Sequence, residues 1–199
     1  MLSDKEKAPV GRVPKKNSII LSLAAALTLI PAALLILLNA RQSDRTLSEI
    51  RFPASFTAYT GFTPSETRQL WLDMADREER FTKCELNPDD SLSLFVTPVQ
   101  LKHNKQIWQD GLSGWLAQCL SRGVHITCSD DCRHMYCRVK TYEDYTRAQS
   151  EVRAALVALS CLQLCRLKNA EDSEYWGVSV HVYEEAQPDT ETALIRVPA

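Results

Sequence analysis

VHITCSDDCRHMYCRV, residues 124–139, is the most regularly patterned stretch of this 199-residue chain. Val124, Ile126 and Cys128 alternate with His125 and Thr127. After Ser129-Asp130-Asp131, the residues Met135, Cys137 and Val139 alternate with His134, Tyr136 and Arg138. Successive strand side chains point to opposite faces. Two alternating runs joined by a Ser/Asp turn therefore predict a β-hairpin with one apolar and one polar face.

Upstream, Ile107, Trp108, Leu112, Trp115, Leu116, Cys119 and Leu120 recur at spacings of three and four. They predict a helix that Asn104 can cap and Gly123 ends. Before it, Asn87-Pro88-Asp89-Asp90 reads as a turn. Leu92, Leu94 and Val96 then alternate with polar neighbours and Phe95, which predicts a strand ended by Pro98. Downstream, Thr141 and Asp144 form a capping-box start. The helix they open is nearly all apolar from Ala154 to Cys165, so it must be packed on more than one side. Trp176, Val178, Val180 and Val182 alternate again and predict another strand. The resulting order, β-α-β-β-α-β, is that of the ferredoxin-like motif, with both helices on one face of a single sheet. The expected class is α+β. The open sheet face would carry Ser93, His125, Thr127, Tyr136, Arg138, Ser179, His181 and Tyr183. One extra helix is expected from Pro64 to about Lys83, because Thr63 can cap it and Glu66 can complete a capping box. This domain spans residues 63–186. A C-terminal tail, 187–199, follows, in which Ala193 to Val197 could add an edge strand.

The N-terminal region has another character. Residues 1–17 form a basic tail. Ser18 to Ala40 reads SIILSLAAALTLIPAALLILLNA, with no charge. That length suits a single transmembrane helix over residues 18–40, and membrane helices tolerate a proline such as Pro31. The run is too long for the apolar core of a cleaved signal peptide. Residues 41–62 read as a linker. Lys5, Lys7, Arg12, Lys15 and Lys16 outweigh Arg41, Arg45 and Arg51 across the run. The positive-inside rule then leaves the N-terminus cytoplasmic and the domain periplasmic, on a single-pass inner-membrane protein.

The formal net charge is −2 and basic residues are interspersed with acids, which gives no footprint for nucleic acid. The seven cysteines, Cys84, Cys119, Cys128, Cys132, Cys137, Cys161 and Cys165, are candidates for disulfides in an exported domain, with at least one left over. Cys128, Cys132 and Cys137, with His134 or His125 beside them, could supply the four ligands of a zinc site. The pleat, however, puts His134 and Cys137 on opposite faces, so no metal or cofactor is expected. Cys161 and Cys165 lie near a helix C-terminus, where the dipole disfavours thiolate. Gly-rich phosphate loops, Gly-x-Ser-x-Gly and His-Glu-x-x-His are all missing from the sequence, and no catalytic residue is predicted. The layout of basic tail, anchor, linker and compact domain resembles that of small inner-membrane assembly subunits of secretion and pilus machines. The resemblance is one of layout alone. It implies a membrane-anchored, non-enzymatic assembly or regulatory subunit that binds other envelope proteins or a second copy of itself. The alternative is a membrane-tethered sensor or thiol/metal-binding protein working through Cys128, Cys132 and Cys137.

Overall fold

The structure, a computed structural model, describes residues 46–198. The chain forms β1 (Ser48–Phe52), α1 (Ala54–Thr60), α2 (Pro64–Leu72) and a one-turn α3 (Arg77–Arg80). β2 (Lys83–Leu86), β3 (Leu92–Val96) and the long α4 (Pro98–Ser121) follow. Then come β4 (His125–Cys128), β5 (His134–Val139), α5 (Tyr142–Arg147) and α6 (Gln149–Arg166). A 3-10 turn, Ala170–Tyr175, leads into β6 (Val178–Glu184) and β7 (Glu191–Val197).

Several of these elements are set by local chemistry. Thr63 caps α2 through the Glu66 N–H while the Glu66 carboxylate returns to Thr63, a full capping box with Pro64 in the first turn. The same device recurs at Thr97-Pro98-Val99-Gln100 and starts α4. The predicted start at Asn104 is thereby corrected. Pro98 opens the helix, and Asn104 lies buried inside it, donating from Nδ2 to the carbonyls of Arg80 (2.6 Å) and Gln100 (2.9 Å). Gly123 follows the α4 cap at φ 84°, a left-handed conformation that favours glycine. The helix predicted from Pro64 to Lys83 stops at Leu72. Its apolar stripe runs out there, and Phe81 and Cys84 are buried from the following turn and strand instead.

The ferredoxin-like expectation is overturned. It would place β3 between β5 and β6. These two instead pair directly and in parallel, from His134 opposite Ser179 to Val139 opposite Glu184. With β4 and β7 antiparallel at the edges they make a four-stranded sheet, β4-β5-β6-β7. β3 is the centre of a separate three-stranded antiparallel sheet, β1-β3-β2. The reason is local. A tight turn at Asn87–Ser91, with Asp90 at φ 62°, folds β2 back onto β3, and a short hairpin closes at less entropic cost than a long crossover. The other edge of β3 is taken by β1, whose Ile50 and Phe52 are buried. Residues 48–60, expected to be linker, are therefore β1 and α1. Ser93, expected on the open face, is buried here and hydrogen-bonded to Glu49 (2.5 Å) and Asn87 (2.7 Å).

No helix among the described residues is long and apolar enough to cross a membrane. The segment 18–40, expected to do so, lies outside the described residues, as do the basic tail and residues 41–45. The architecture of an anchor plus a ferredoxin-like domain is thus corrected, for the described residues, to an α+β body with two sheets.

Phe52 is 1% exposed and packs its ring against Phe56 (5.2 Å) and Trp71 (4.7 Å). Phe52→Ala is expected to destabilise the domain by about 3–5 kcal/mol, the usual result of emptying a buried aromatic site. Urea denaturation of the two proteins checks this. A change below about 0.5 kcal/mol, the scale of a surface substitution, would return the segment to linker status.

Candidate functional site

All seven cysteines are free thiols in this structure, so none of the expected bridges is formed in it. Six are buried and Cys128 is half-buried. Burial pushes the thiols of Cys84, Cys119 and Cys128 up to about 11, and those of Cys137 and Cys165 up to about 12. Cys161 is raised well above the ordinary thiol range by complete burial. Cys132 is raised by burial as well, although Arg166 Nη1 sits 3.1 Å from its sulfur and acts in the opposite direction. These are neutral thiols in a core, not activated nucleophiles. Cys137 points inward and His134 to the open side, as the alternation required. Among the described residues no group of three or more His, Cys, Asp or Glu is placed to hold a metal ion.

The open face of the four-stranded sheet is polar and ordered by rings. His134, Tyr136 and His181 stack edge-up, with Tyr136 and His181 at 5.0 Å and 19° and His134 and Tyr136 at 6.1 Å and 17°. His134 Nδ1 lies 3.1 Å from His181 Nε2, and His181 Nδ1 lies 2.5 Å from Glu191 Oε1. Glu191 reaches this face because a register shift in the β6–β7 pairing places it opposite Tyr183. The sequence reading left Glu191 in the tail, and no alternation in residues 186–192 signals the shift.

The second feature is apolar. α1 and α2 stand off from α4 and α6 and leave a groove of about 800 Å³. Phe56, Phe62, Leu70 and Trp71 form one wall, and Ile107, Trp108 and Trp115 of α4 with Ala154 and Val157 of α6 form the other. Phe62 is 50% exposed and Leu70 49%. Gly111 lies in the groove, and a β-carbon there would meet nothing within 4 Å. Asp73 is the one charged residue of the lining. Sequence reading found the α4 stripe, Trp108 and Trp115 included, and the helix that carries Leu70 and Trp71. It missed Phe56 and Phe62 on the facing wall because residues 41–62 were read as linker.

Native-state labelling with a thiol reagent should be slow for every cysteine and fastest at Cys128, and unfolding in guanidinium should expose all seven. Rapid native labelling of Cys132 or Cys137 would contradict this burial. Compared with known proteins, the chain matches no family model, no curated protein and no solved structure.

Proposed function

We propose that the chain is a non-enzymatic assembly or regulatory subunit of a membrane-associated envelope complex, and that its domain holds a partner protein in the groove between α1–α2 and α4–α6. The supporting observation is that groove: about 800 Å³, walled by tryptophan, phenylalanine and leucine, with Phe62 and Leu70 half in water. Exposed contiguous apolar surface is unfavourable unless something covers it. The α4 lining runs from Ile107 to Trp115, about 12 Å or two helical turns. The occupant is therefore a two-turn apolar stretch of an amphipathic partner helix, laid in as helix-in-groove recognition does. Asp73 at the rim selects a partner with a basic residue at the matching end.

The non-enzymatic reading is supported by the state of the reactive groups. Six of the seven thiols are buried, and two of the turn carboxylates are engaged locally: Asp89 by Ser91 and Arg51, Asp131 by Ser129 and the Arg133 N–H. The membrane setting and the periplasmic side rest on the apolar run 18–40 and the charges around it.

A photo-crosslinker at Leu70 should capture a partner helix, whereas one at Val99, exposed on the first turn of α4, should not. Gly111→Leu should fill the groove and abolish the Leu70 adduct without lowering the melting temperature. The crosslinked peptide should contain a short amphipathic helix with Lys or Arg. Adducts that persist in Gly111→Leu, or that contain only lipid, would refute the groove as a partner site. A phosphatase reporter fused to the C-terminus should be active in the periplasm.

A further inference from the structure

A smaller cavity, about 350 Å³, lies at one end of the open sheet face, away from the apolar groove. Its lining brings Arg133 from the hairpin loop, His134 from β5, Ser179 from β6 and Arg196 from β7 to one place. The pairing explains why: His134 is opposite Ser179, and Ser179 is opposite Arg196, so the three form one row across three strands. Arg133 is fixed beside the row because its carbonyl accepts from the Ser179 N–H at 2.8 Å. Among the described residues, neither guanidinium donates a hydrogen bond or forms an ion pair, and the Ser179 hydroxyl has no partner. The nearest carboxylate that senses Arg133 and His134 is Asp131, already engaged by Ser129 Oγ and the Arg133 backbone N–H. Both arginines are exposed, so each guanidinium is free to turn toward an anion in the concavity.

The wall of the cavity is rigid. Gln163, buried, grips Gly177 by both polar groups, accepting from its N–H at 3.1 Å and donating to its carbonyl at 3.2 Å. Gly177 itself is close-packed: a β-carbon would meet the Val197 carbonyl at 3.1 Å. Tyr175, 77% exposed, forms the lip.

We propose that this cavity binds a phosphate-type tetrahedral oxyanion. Donors drawn from the hairpin loop and three strands outnumber what the two oxygens of a planar carboxylate accept, and arginine suits phosphate geometry. His134 brings a ring nitrogen to the same row: its Nδ1 lies 3.1 Å from His181 Nε2, and His181 Nδ1 lies 2.5 Å from Glu191 Oε1, so His134 Nε2 is the ring nitrogen outside this chain. The phosphoryl group could arrive free in solution or on a lipid headgroup.

The test is calorimetric titration of the full chain in non-ionic detergent with sulfate and with inorganic phosphate at pH 7. Both anions should bind with a Kd below about 10 mM. The double variant Arg133→Gln/Arg196→Gln should lose at least tenfold, with an unchanged melting temperature because neither side chain holds the fold together. Arg196→Lys should recover part of the loss. A second arm compares the chain in nanodiscs of phosphatidylcholine with and without phosphatidylglycerol. If the anionic lipid blocks sulfate binding, the headgroup is the source, and if it does not, the source is soluble. Absence of binding at 10 mM of either anion, or binding indifferent to the double variant, would overturn the proposal. These outcomes leave the groove reading untouched, since Gly111→Leu does not alter this cavity.

Discussion

Helix α6 must be kept from water on nearly its whole circumference. From Ala158 to Cys165 every residue is buried, including Ser160 and Gln163. One sheet can cover only one side of a helix, so the remaining sides need other cover. α4 and β1 supply part of it, and the four-stranded sheet buries Met135, Cys137, Val139, Val180 and Val182 in the same core. The second sheet follows from this demand. A single ferredoxin-like sheet with two helices on one face would leave the far side of α6 in water. The three-stranded sheet and α1 enclose it, tied across by Arg153 Nη2 donating to the Tyr59 carbonyl at 2.5 Å and by Trp176 Nε1 donating to Ser55 Oγ at 2.9 Å. The small size and apolar character of neutral thiols suit such an interior, as at Cys161 and Cys165 on α6.

That demand was visible in the chain itself, because an apolar stretch from Ala154 to Cys165 already required packing on more than one side. What covered it was not visible. Between Leu92 and Glu184 the four strands β3 to β6 were anticipated, but β1, α1 and β2 were not, and the order of elements does not determine which strands are neighbours. The direct parallel pairing of β5 and β6 is as compatible with a helical crossover as the insertion of β3 would be. β1 and the true start of α4 carried signals that were too short or ambiguous. Ile50 and Phe52 alternate over only five residues of β1, beside a proline. Thr97-Pro98-Val99-Gln100 has the same pattern as Thr63-Pro64-Ser65-Glu66, but Pro98 also follows a strand and reads equally well as its end. The hairpin was legible because its alternation is long on both arms and its turn is unambiguous.

The same distinction separates the legible from the illegible parts of the sites. Alternation alone placed His134 and Cys137 on opposite faces and so argued against a zinc site in the hairpin. Alternation also put Tyr136, Arg138, Ser179, His181 and Tyr183 on one open face. The chain from Glu191 through His181 to His134 needed a register shift between β6 and β7, and the cavity by Arg196 needed β7 to be a full strand. Such long-range pairings leave no local mark, because the residues concerned are ordinary surface types until a neighbouring strand brings them together.

Trp176 connects these features physically. Its ring packs edge-on against Phe56 at 5.4 Å, and Phe56 lines the apolar groove, while Trp176 itself lines the cavity of Arg133 and Arg196. Contact of this kind transmits a signal only if the contact has two arrangements to choose between. Here the ring is buried, its N–H is held by Ser55, and the adjacent Gly177 is clamped by Gln163 from α6. One arrangement is thus strongly determined, and the consequence is rigidity rather than switching. Each surface is backed by the same packed ring contact, so the proposed partner helix and the proposed anion would each meet a wall that is already ordered. Preorganisation of this sort lowers the entropic cost of binding.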